Sequence, residues 1–463
     1  MTTACYSGLN WKWHDRMNQI MREDELNRTT EQSTEQLTEE RKARVLLVGV
    51  DTGEEDDFER SMEELKSLAE AAEREVAGII TQRLEMVNKA LYIGTGKVHE
   101  VREYASDCEA EEVVFDNALS PSQVRNLGRE LELPVFDRTN LILDIFALRA
   151  KTREAKLQVE TARLQYMLPR LVGMNEALSR QGGASGSMSS KGAGEKKLEL
   201  DRRKIEHRIS ELKKELQVIA ASRMTQRKRR NASRTPQVAL VGYTNAGKST
   251  ILNRMVDAYG NGPEKTVLEK DMLFATLETS VRSIDTGDNK PFFLADTVGF
   301  IHKLPHGLVQ AFRSTLEEVR YADLLVQVVD FSDDNYRQQM RVTEETLKEL
   351  GAGDIPQIVV YNKADKCNMG ELPKVRENQI YLSAANGVGL EELLGLIKNK
   401  VYRNHVNCEF LIPYDKAGVA SYLMENATIL EKEYREDGIY IHANCYSQDA
   451  EKYAIFMKDR RKR

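Results

Sequence analysis

Little cysteine, no excess of positive charge and no long apolar run mark this chain of 463 residues, and each shortage closes off a class of function. The five cysteines, Cys5, Cys108, Cys367, Cys408 and Cys445, are scattered, and none stands in C-x-x-C spacing. An odd, dispersed set of thiols supports neither a disulfide framework nor a zinc site. The formal net charge is -6. No global basic field therefore advertises nucleic-acid binding, and such a role must come from a local patch. No apolar run reaches the roughly 18 residues of a membrane span. The N-terminal MTTACYSGLNWKWHDR lacks the apolar segment of a signal peptide. A soluble, cytoplasmic protein in a reducing compartment is expected. The hydrophobic fraction of 41% and charged fraction of 30% are those of ordinary globular proteins. At roughly 150 residues per domain the length suggests about three domains.

Residues 1–42 are polar and rich in Glu, Thr and Gln, too poor in apolar surface to offset chain entropy, so a disordered tail is expected. From 43 to 140 strand and helix patterns alternate. RVLLVGV is followed by Phe58, Met62, Leu65 and Leu68 at helical steps, then by VAGIITQ, KVHEVREYA, EEVVFDN, SPSQVRNLGREL and LPVFDR. This is the signature of a small parallel sheet with crossover helices. The turn Gly94-Thr95-Gly96-Lys97 lacks P-loop spacing and reads as a helix start. From 141 to 232 two heptad seams follow. One runs through Ile145, Leu148, Thr152, Ala155, Val159, Ala162 and Tyr166; the other uses Ile205, Ile209, Leu212, Leu216 and Ile219. A Gly/Ser-rich loop at 181–194 joins them, so an antiparallel two-helix arm is expected. The pattern fits an arm that reaches a partner as well as it fits a connector. Residues 233–404 carry the strands QVALVGY, FFLAD, LLVQVVD, QIVVYN and QIYLSA with helices between, a doubly wound sheet. Residues 405–463 read as strand EFLIPY, helix GVASYLMENATIL, strand GIYIHANC and helix DAEKYAIFMKDRRKR, a small α+β appendage.

The chemistry concentrates in the third segment. Gly242-Tyr243-Thr244-Asn245-Ala246-Gly247-Lys248-Ser249 follows a strand and opens a helical pattern at Thr250, the context of a P-loop. Its backbone N–H groups and helix N-terminus suit phosphate oxygens. Lys248 is placed to bridge β- and γ-phosphates and Ser249 to ligate Mg2+. Asn362-Lys363-Ala364-Asp365 ends a later strand. The Asp365 carboxylate can accept the N1–H and exocyclic amine of guanine, a donor pair adenine lacks. Asn362 ties back to the P-loop, the Lys363 stem can cover the ring, and Ser383-Ala384 offers a backbone N–H to the guanine oxygen. Asp296-Thr297-Val298-Gly299 supplies a carboxylate for Mg2+ through water and, at Gly299, an N–H to sense the γ-phosphate. Between these motifs Thr276 is the switch threonine chosen to close over Mg2+, with Phe274, Ala275, Leu277 and Glu278 wrapping the nucleotide and Thr279 as competitor. GTP and GDP are the expected ligands, and Lys248, Thr276 and Gly299 the catalytic set.

Two positions depart from the commonest pattern. Phe300 stands where many GTPases of this architecture place a water-orienting glutamine. Intrinsic hydrolysis should therefore be slow and await help, whether or not Phe300 also packs in the core. Asn245 either helps hold a monovalent cation such as K+ beside the phosphates or is a turn residue.

The strings GYTNAGKST, FATLE, DTVGFIHKLPHGLVQAFRSTLEEV and YNKAD, with the upstream VVFDNALSPSQVRNLGRELELPVFDRTNLILDIFALRAKTREAKLQVETARLQYMLPRL and EKKLELDRRKIEHRISELKKEL, resemble the HflX-type GTPases of the Obg-like branch. The resemblance runs from about Arg44 through the P-loop domain and weakens in the tail. One departure is Gly192-Ala193-Gly194-Glu195-Lys196-Lys197-Leu198-Glu199, where the family usually carries G-P-G-E-T-K-L-E. The resemblance implies a GTP hydrolase that docks on the large ribosomal subunit and its rRNA near the peptidyl-transferase region and splits or rescues ribosomes; Mg2+ dependence and a monomer are expected. Some members are also said to handle ATP. The competing reading is an RNA-binding assembly or hibernation factor in which GTP is only an occupancy signal. There the basic strings RRK, QRKRR and KDRRKR would hold RNA, although such strings also occur as plain solvated helix faces.

Overall fold

The computed structural model describes residues 41–53, 57–180, 188–232, 235–260, 274, 279–303 and 317–457, with only the backbone of 171–180, 188–198 and 225–232. The expected tail falls outside these residues, apart from Arg41 and Lys42, and so do KDRRKR and the side chains of QRKRR. Contacts divide the chain into two compact units, Met1–Leu216 and Gln217–Arg463.

Parallel strands need long crossovers, and the first unit supplies them as helices. Its order is β1 (Arg44–Asp51), α1 (Phe58–Ala71), β2 (Glu75–Arg83), α2 (Thr95–Asp107), β3 (Glu112–Phe115), α3 (Pro121–Leu131), β4 (Val135–Asp137) and α4 (Arg138–Arg149). The four strands form one all-parallel sheet in the order β2-β1-β3-β4. Leu46, Val48, Val113, Phe115 and Val135 bury against Val98, Val101, Val124 and Leu127. Local signals set the helix starts. Ser120 and Gln123 form a capping box ahead of Pro121, and Gly94 precedes α2 as the helix-start reading requires.

Buried charges fasten α4 and the next helix, α5 (Arg153–Arg180), to the strand ends. Arg138 donates to Asp116 at 2.6 Å and also pairs with Glu64. Arg74 pairs with Asp144 at 2.6 Å and Glu112 at 3.0 Å. Asp137 accepts from the Tyr166 hydroxyl and, at 3.0 Å, from Arg170. Removing one partner of such a pair strands a buried charge, at about 3–5 kcal/mol.

The first heptad seam is corrected. Its spacing predicts an unbroken run from Ile145 to Tyr166, but the chain leaves the helix after Arg149 and resumes at Arg153. Leu148 is 49% exposed, while Ile142, Ile145 and Phe146 are buried and α4 packs on α1 and β4. The three-and-four spacing continues by coincidence across a helix break. Beyond it Ala155, Val159 and Ala162 are buried, as are Ile205, Ile209 and Leu212 of α6 (Met188–Ala232). Arg208 grips Glu160 at 2.7 Å, and Arg153 meets Glu215 at 2.8 Å. The Gly/Ser-rich loop expected over 181–194 is also shortened: Met188 to Gly194 are already helical, and 181–187 lie outside the described residues. Each helical glycine costs only about 1 kcal/mol, which a long helix tolerates. In the RRK string Arg202 and Arg203 are exposed and paired to Glu206 and Glu199 one turn away.

The second unit continues with β5 (Gln237–Gly242), α7 (Lys248–Tyr259), β6 (Ser280–Ile284), β7 (Phe292–Asp296), α8 (Glu317–Arg320), β8 (Leu324–Asp330), α9 (Tyr336–Glu349), β9 (Gln357–Asn362), β10 (Lys374–Arg376), β11 (Gln379–Tyr381) and α10 (Leu390–Val401). The sheet order is β10-β11-β9-β8-β5-β7-β6, with the edge strands β10 and β6 antiparallel and the five between them parallel. The central strands β5 and β8 are buried on both faces and so read as continuous apolar runs without alternation. Val238, Leu240, Val326, Val328 and Val360 pack on Ile251 and Met255 of α7 and Leu393 and Ile397 of α10.

An antiparallel sheet of order β12-β14-β13 follows, from β12 (His405–Ile412), β13 (Thr428–Arg435) and β14 (Gly438–Tyr446), with α11 (Ala417–Asn426) and α12 (Ser447–Lys452). Two expectations fail here. The helix read through GVASYLMENATIL stops at Asn426, and Thr428 opens an edge strand. The final helix reaches only Lys452, followed by a single 3-10 turn at Ala454–Phe456. Strand β13 buries none of its residues and is held by its backbone ladder to β14, so it lacks the alternation that betrays a strand. The turn between β6 and β7 reaches this module. Asn289 donates to the Met424 and Ala427 carbonyls at 3.0 Å each, and Thr428 donates to Asp288 O at 2.7 Å.

Candidate functional site

Parallel doubly wound sheets bind ligands beyond the carboxyl ends of their strands, and the predicted motifs gather there. The P-loop leaves β5 through backbone that favours glycine, with φ 144° at Gly242 and 95° at Gly247. A Cβ at Gly242 would stand 2.1 Å from Val328 O, and one at Gly247 would stand 2.2 Å from Asn362 Nδ2. Asn245 adopts a left-handed φ of 60° and is exposed, which fits its reading as a turn residue. Lys248 is buried, and its ammonium donates to Tyr243 O at 2.7 Å and Gly242 O at 3.1 Å. Burial pushes its pKa down to about 8, against a smaller upward pull from Asp296. An enclosed ammonium must find acceptors, and here it takes them from its own loop.

The Ser249 hydroxyl donates to Asp296 Oδ2 at 2.6 Å. A hydroxyl and a carboxylate converging at a phosphate loop are hard oxygens of the kind Mg2+ prefers, so these two side chains fit that ion. Thr297 donates to Leu240 O at 2.6 Å and is fully buried, which makes it a brace. Gly299 presses on the P-loop: a Cβ there would lie 2.7 Å from Thr244 Cα and 3.0 Å from Lys248 Nζ. Phe300 exchanges backbone hydrogen bonds with Gly242 and Thr244, at 3.1 and 2.8 Å. Its ring is 2% exposed, packed with Val241, Ala295 and Val319. The core-packing reading of Phe300 holds.

Asn362 is the hub. Its Nδ2 donates to Ala246 O at 2.9 Å, and its Oδ1 accepts from Ala384 N at 3.0 Å. One buried amide thus ties the P-loop, the end of β9 and the turn after β11. Asp365 is exposed on the 3-10 turn Ala364–Lys366, with Asn386 Nδ2 at 3.4 Å. Lys363 has φ 59°, and its ammonium binds Asp330 at 2.7 Å. The N–H groups of Ser383 and Ala384, expected to face the guanine oxygen, donate here to Val388 O and Asn362 Oδ1. The Thr244 and Ser383 hydroxyls, by contrast, are buried without a hydrogen-bond partner among the described residues. Phe274 is buried with φ 54°, Val298 is buried, and Ala275, Thr276, Leu277 and Glu278 lie outside the described residues.

Three contributors escaped the sequence reading: Asp330, Asn386 and Arg254, whose guanidinium donates to Ala385 O at 2.8 Å. Only Asp330 left a signal, a charge closing the apolar run LLVQVV.

The chain resembles known proteins over most of its length. Residues 59–147 match the family described as GTP-binding GTPase N-terminal, 149–230 the GTP-binding GTPase middle region, 237–363 the 50S ribosome-binding GTPase, and 369–455 the HflX C-terminal domain. Over 418 residues the chain is 43% identical to GTPase HflX of Caldanaerobacter subterraneus subsp. tengcongensis, covering 90% of this chain and 94% of the relative. It is 42% identical over 407 residues to GTPase HflX of Lacrimispora saccharolytica, covering 88% and 94%. A solved complex of SsGBP with GDP is 27% identical, with a TM-score of 0.42, covering 78% of this chain and 98% of that one. With its nucleotide motifs gathered at one sheet edge and its likeness to these relatives running through nearly its whole length, the chain belongs to the HflX family of GTPases.

Proposed function

We propose that this GTPase binds Mg2+·GTP at the carboxyl edge of its seven-stranded sheet, docks as a cytoplasmic monomer on the large ribosomal subunit, and couples hydrolysis to ribosome splitting or rescue. The Asn362 bracket carries the nucleotide half of the reading, because one amide sets the phosphate loop and the base-binding turns together. The docking half rests on the match of residues 237–363 to a 50S ribosome-binding GTPase family.

In this reading Lys248 turns from its loop carbonyls to the phosphates, and Asp365 selects guanine. Gly299 senses the γ-phosphate, and Thr276 closes the site. Ser249, and Asp296 through water, hold Mg2+, which supplies charge that neutralises the phosphate oxygens. Buried Phe300 offers no group to orient water, so the subunit must complete the site. Activators of other GTPases raise turnover on the order of 10³–10⁵-fold. GTP turnover with and without large subunits tests the proposal, with intact ribosomes followed by sedimentation. A rate indifferent to saturating subunits overturns it. Retained function of Lys248→Ala in cells favours the occupancy-signal alternative, and exchanging K+ for Na+ in the same assay tests Asn245.

A further inference from the structure

The Lys363 ammonium is held by a carboxylate no nucleotide motif contains. Asp330 closes β8 directly opposite Asn362 in register, and Phe331 N donates to Asn362 O at 2.9 Å. Its Oδ1 accepts from Ser332 N at 3.1 Å and Ser332 Oγ at 2.6 Å, and its Oδ2 takes the lysine at 2.7 Å. The carboxylate is therefore fixed from two sides, and it faces a lysine whose left-handed backbone turns the side chain across the strand ends. Lysine stems are flexible, and this one is held at its far end.

We infer that Asp330 is a positioning residue for guanine recognition, anchoring the Lys363 ammonium so that its aliphatic stem forms the wall over the base. The inference rests on the guanine-site reading above. Because the lysine charge is neutralised within the protein, the pair contributes shape at the base and not attraction at the phosphates. Its loss should weaken GTP and GDP equally.

The test is a double-mutant cycle of Asp330→Asn and Lys363→Met. Equilibrium and stopped-flow binding of fluorescent GDP and GTP are read beside thermal melting. Each single change should weaken both nucleotides about tenfold through faster dissociation and raise KM more than it lowers kcat. The double variant should lose no more than either single. Additive losses, or a larger loss for GTP than for GDP, would each overturn the tether. If the unsubstituted chain prefers no guanine nucleotide over ATP in the same titration, the guanine-site reading itself fails.

Discussion

Replacing Asn362 by alanine should uncouple the nucleotide site from the rest of the domain, and the structure sets the size of the effect. The side chain is 3% exposed and makes two hydrogen bonds, at 2.9 and 3.0 Å. Each is worth about 1 kcal/mol net, and a buried group left without its partner costs about 1–3 kcal/mol. Ala246 and Ala384, which lose those partners, are 1% and 0% exposed. The expected loss of stability is about 2–4 kcal/mol. Both orphaned groups belong to loops the nucleotide must find in place. If about 2 kcal/mol of the loss falls on loop order, GTP affinity drops roughly 30-fold, at 1.4 kcal/mol per decade. Calorimetric titration with GTP and GDP gives the affinity, and denaturant unfolding gives the stability. Asn362→Asp should bind no better than Asn362→Ala, since it keeps the acceptor for Ala384 but sets a carboxylate oxygen against Ala246 O. Loss of stability with affinity within threefold of the unsubstituted chain would refute the bracket as an organiser of the site.

Gly299→Ala forces a Cβ against Thr244 and Lys248 and should lower GTP turnover more than tenfold while GDP affinity changes less, as steady-state rates and titrations would show. Burial holds the free Lys248 at about 8, and bound phosphates must raise it. GTP affinity should therefore be flat below pH 8 and weaken towards tenfold per pH unit above it; proton uptake on binding at pH 9, measured in buffers of different ionisation enthalpy, checks the sign. An unfolded lysine titrates near 10.5, so the same group makes the nucleotide-free fold more stable as pH rises from 8 to 10.5. Ser249→Ala should abolish most of the Mg2+ dependence of GTP binding seen on chelation. Asn289→Ala removes two hydrogen bonds to α11 and Ala427 and should speed hydrogen exchange in Thr428–Arg435 without altering nucleotide affinity.

The readable parts of this chain are those whose chemistry leaves no alternative. Gly242 and Gly247 take backbone conformations and close approaches that exclude a side chain, and Lys248, Ser249, Asp296 and Asn362 carry the functional groups that suit phosphate, metal and base. The central strands were legible because burial on both faces makes them continuously apolar. What stayed hidden depends on partners distant in sequence. The Asp330–Lys363 pair exists because β8 and β9 are adjacent and in register, and spacing along the chain does not encode that. The break between Arg149 and Arg153 was invisible because residues on both sides of it are buried, so the apolar spacing runs on across it. Edge strands such as β13 are defined by a ladder rather than by burial, so hydrophobic periodicity passes over them.

The candidate site is occupied by its own substitutes. The Lys248 ammonium rests on loop carbonyls, Ser249 on Asp296, and the Ala384 N–H on Asn362. A nucleotide binding here exchanges some of these partners for its own, so net affinity is a difference between good interactions and not their sum. Exchange of this kind sharpens discrimination, because a ligand that displaces a partner without replacing it leaves a buried polar group unpaired. On the proposed reading, adenine would offer Asp365 no donor pair, and a diphosphate would offer Gly299 nothing. The same commitment of groups bears on the proposed hydrolysis. Phe300 is committed to the core, and its backbone is locked to Gly242 and Thr244, so loop motion cannot bring a water-orienting amide to that position. On the proposed reading a docked partner supplies the missing orientation, and it can therefore set the rate.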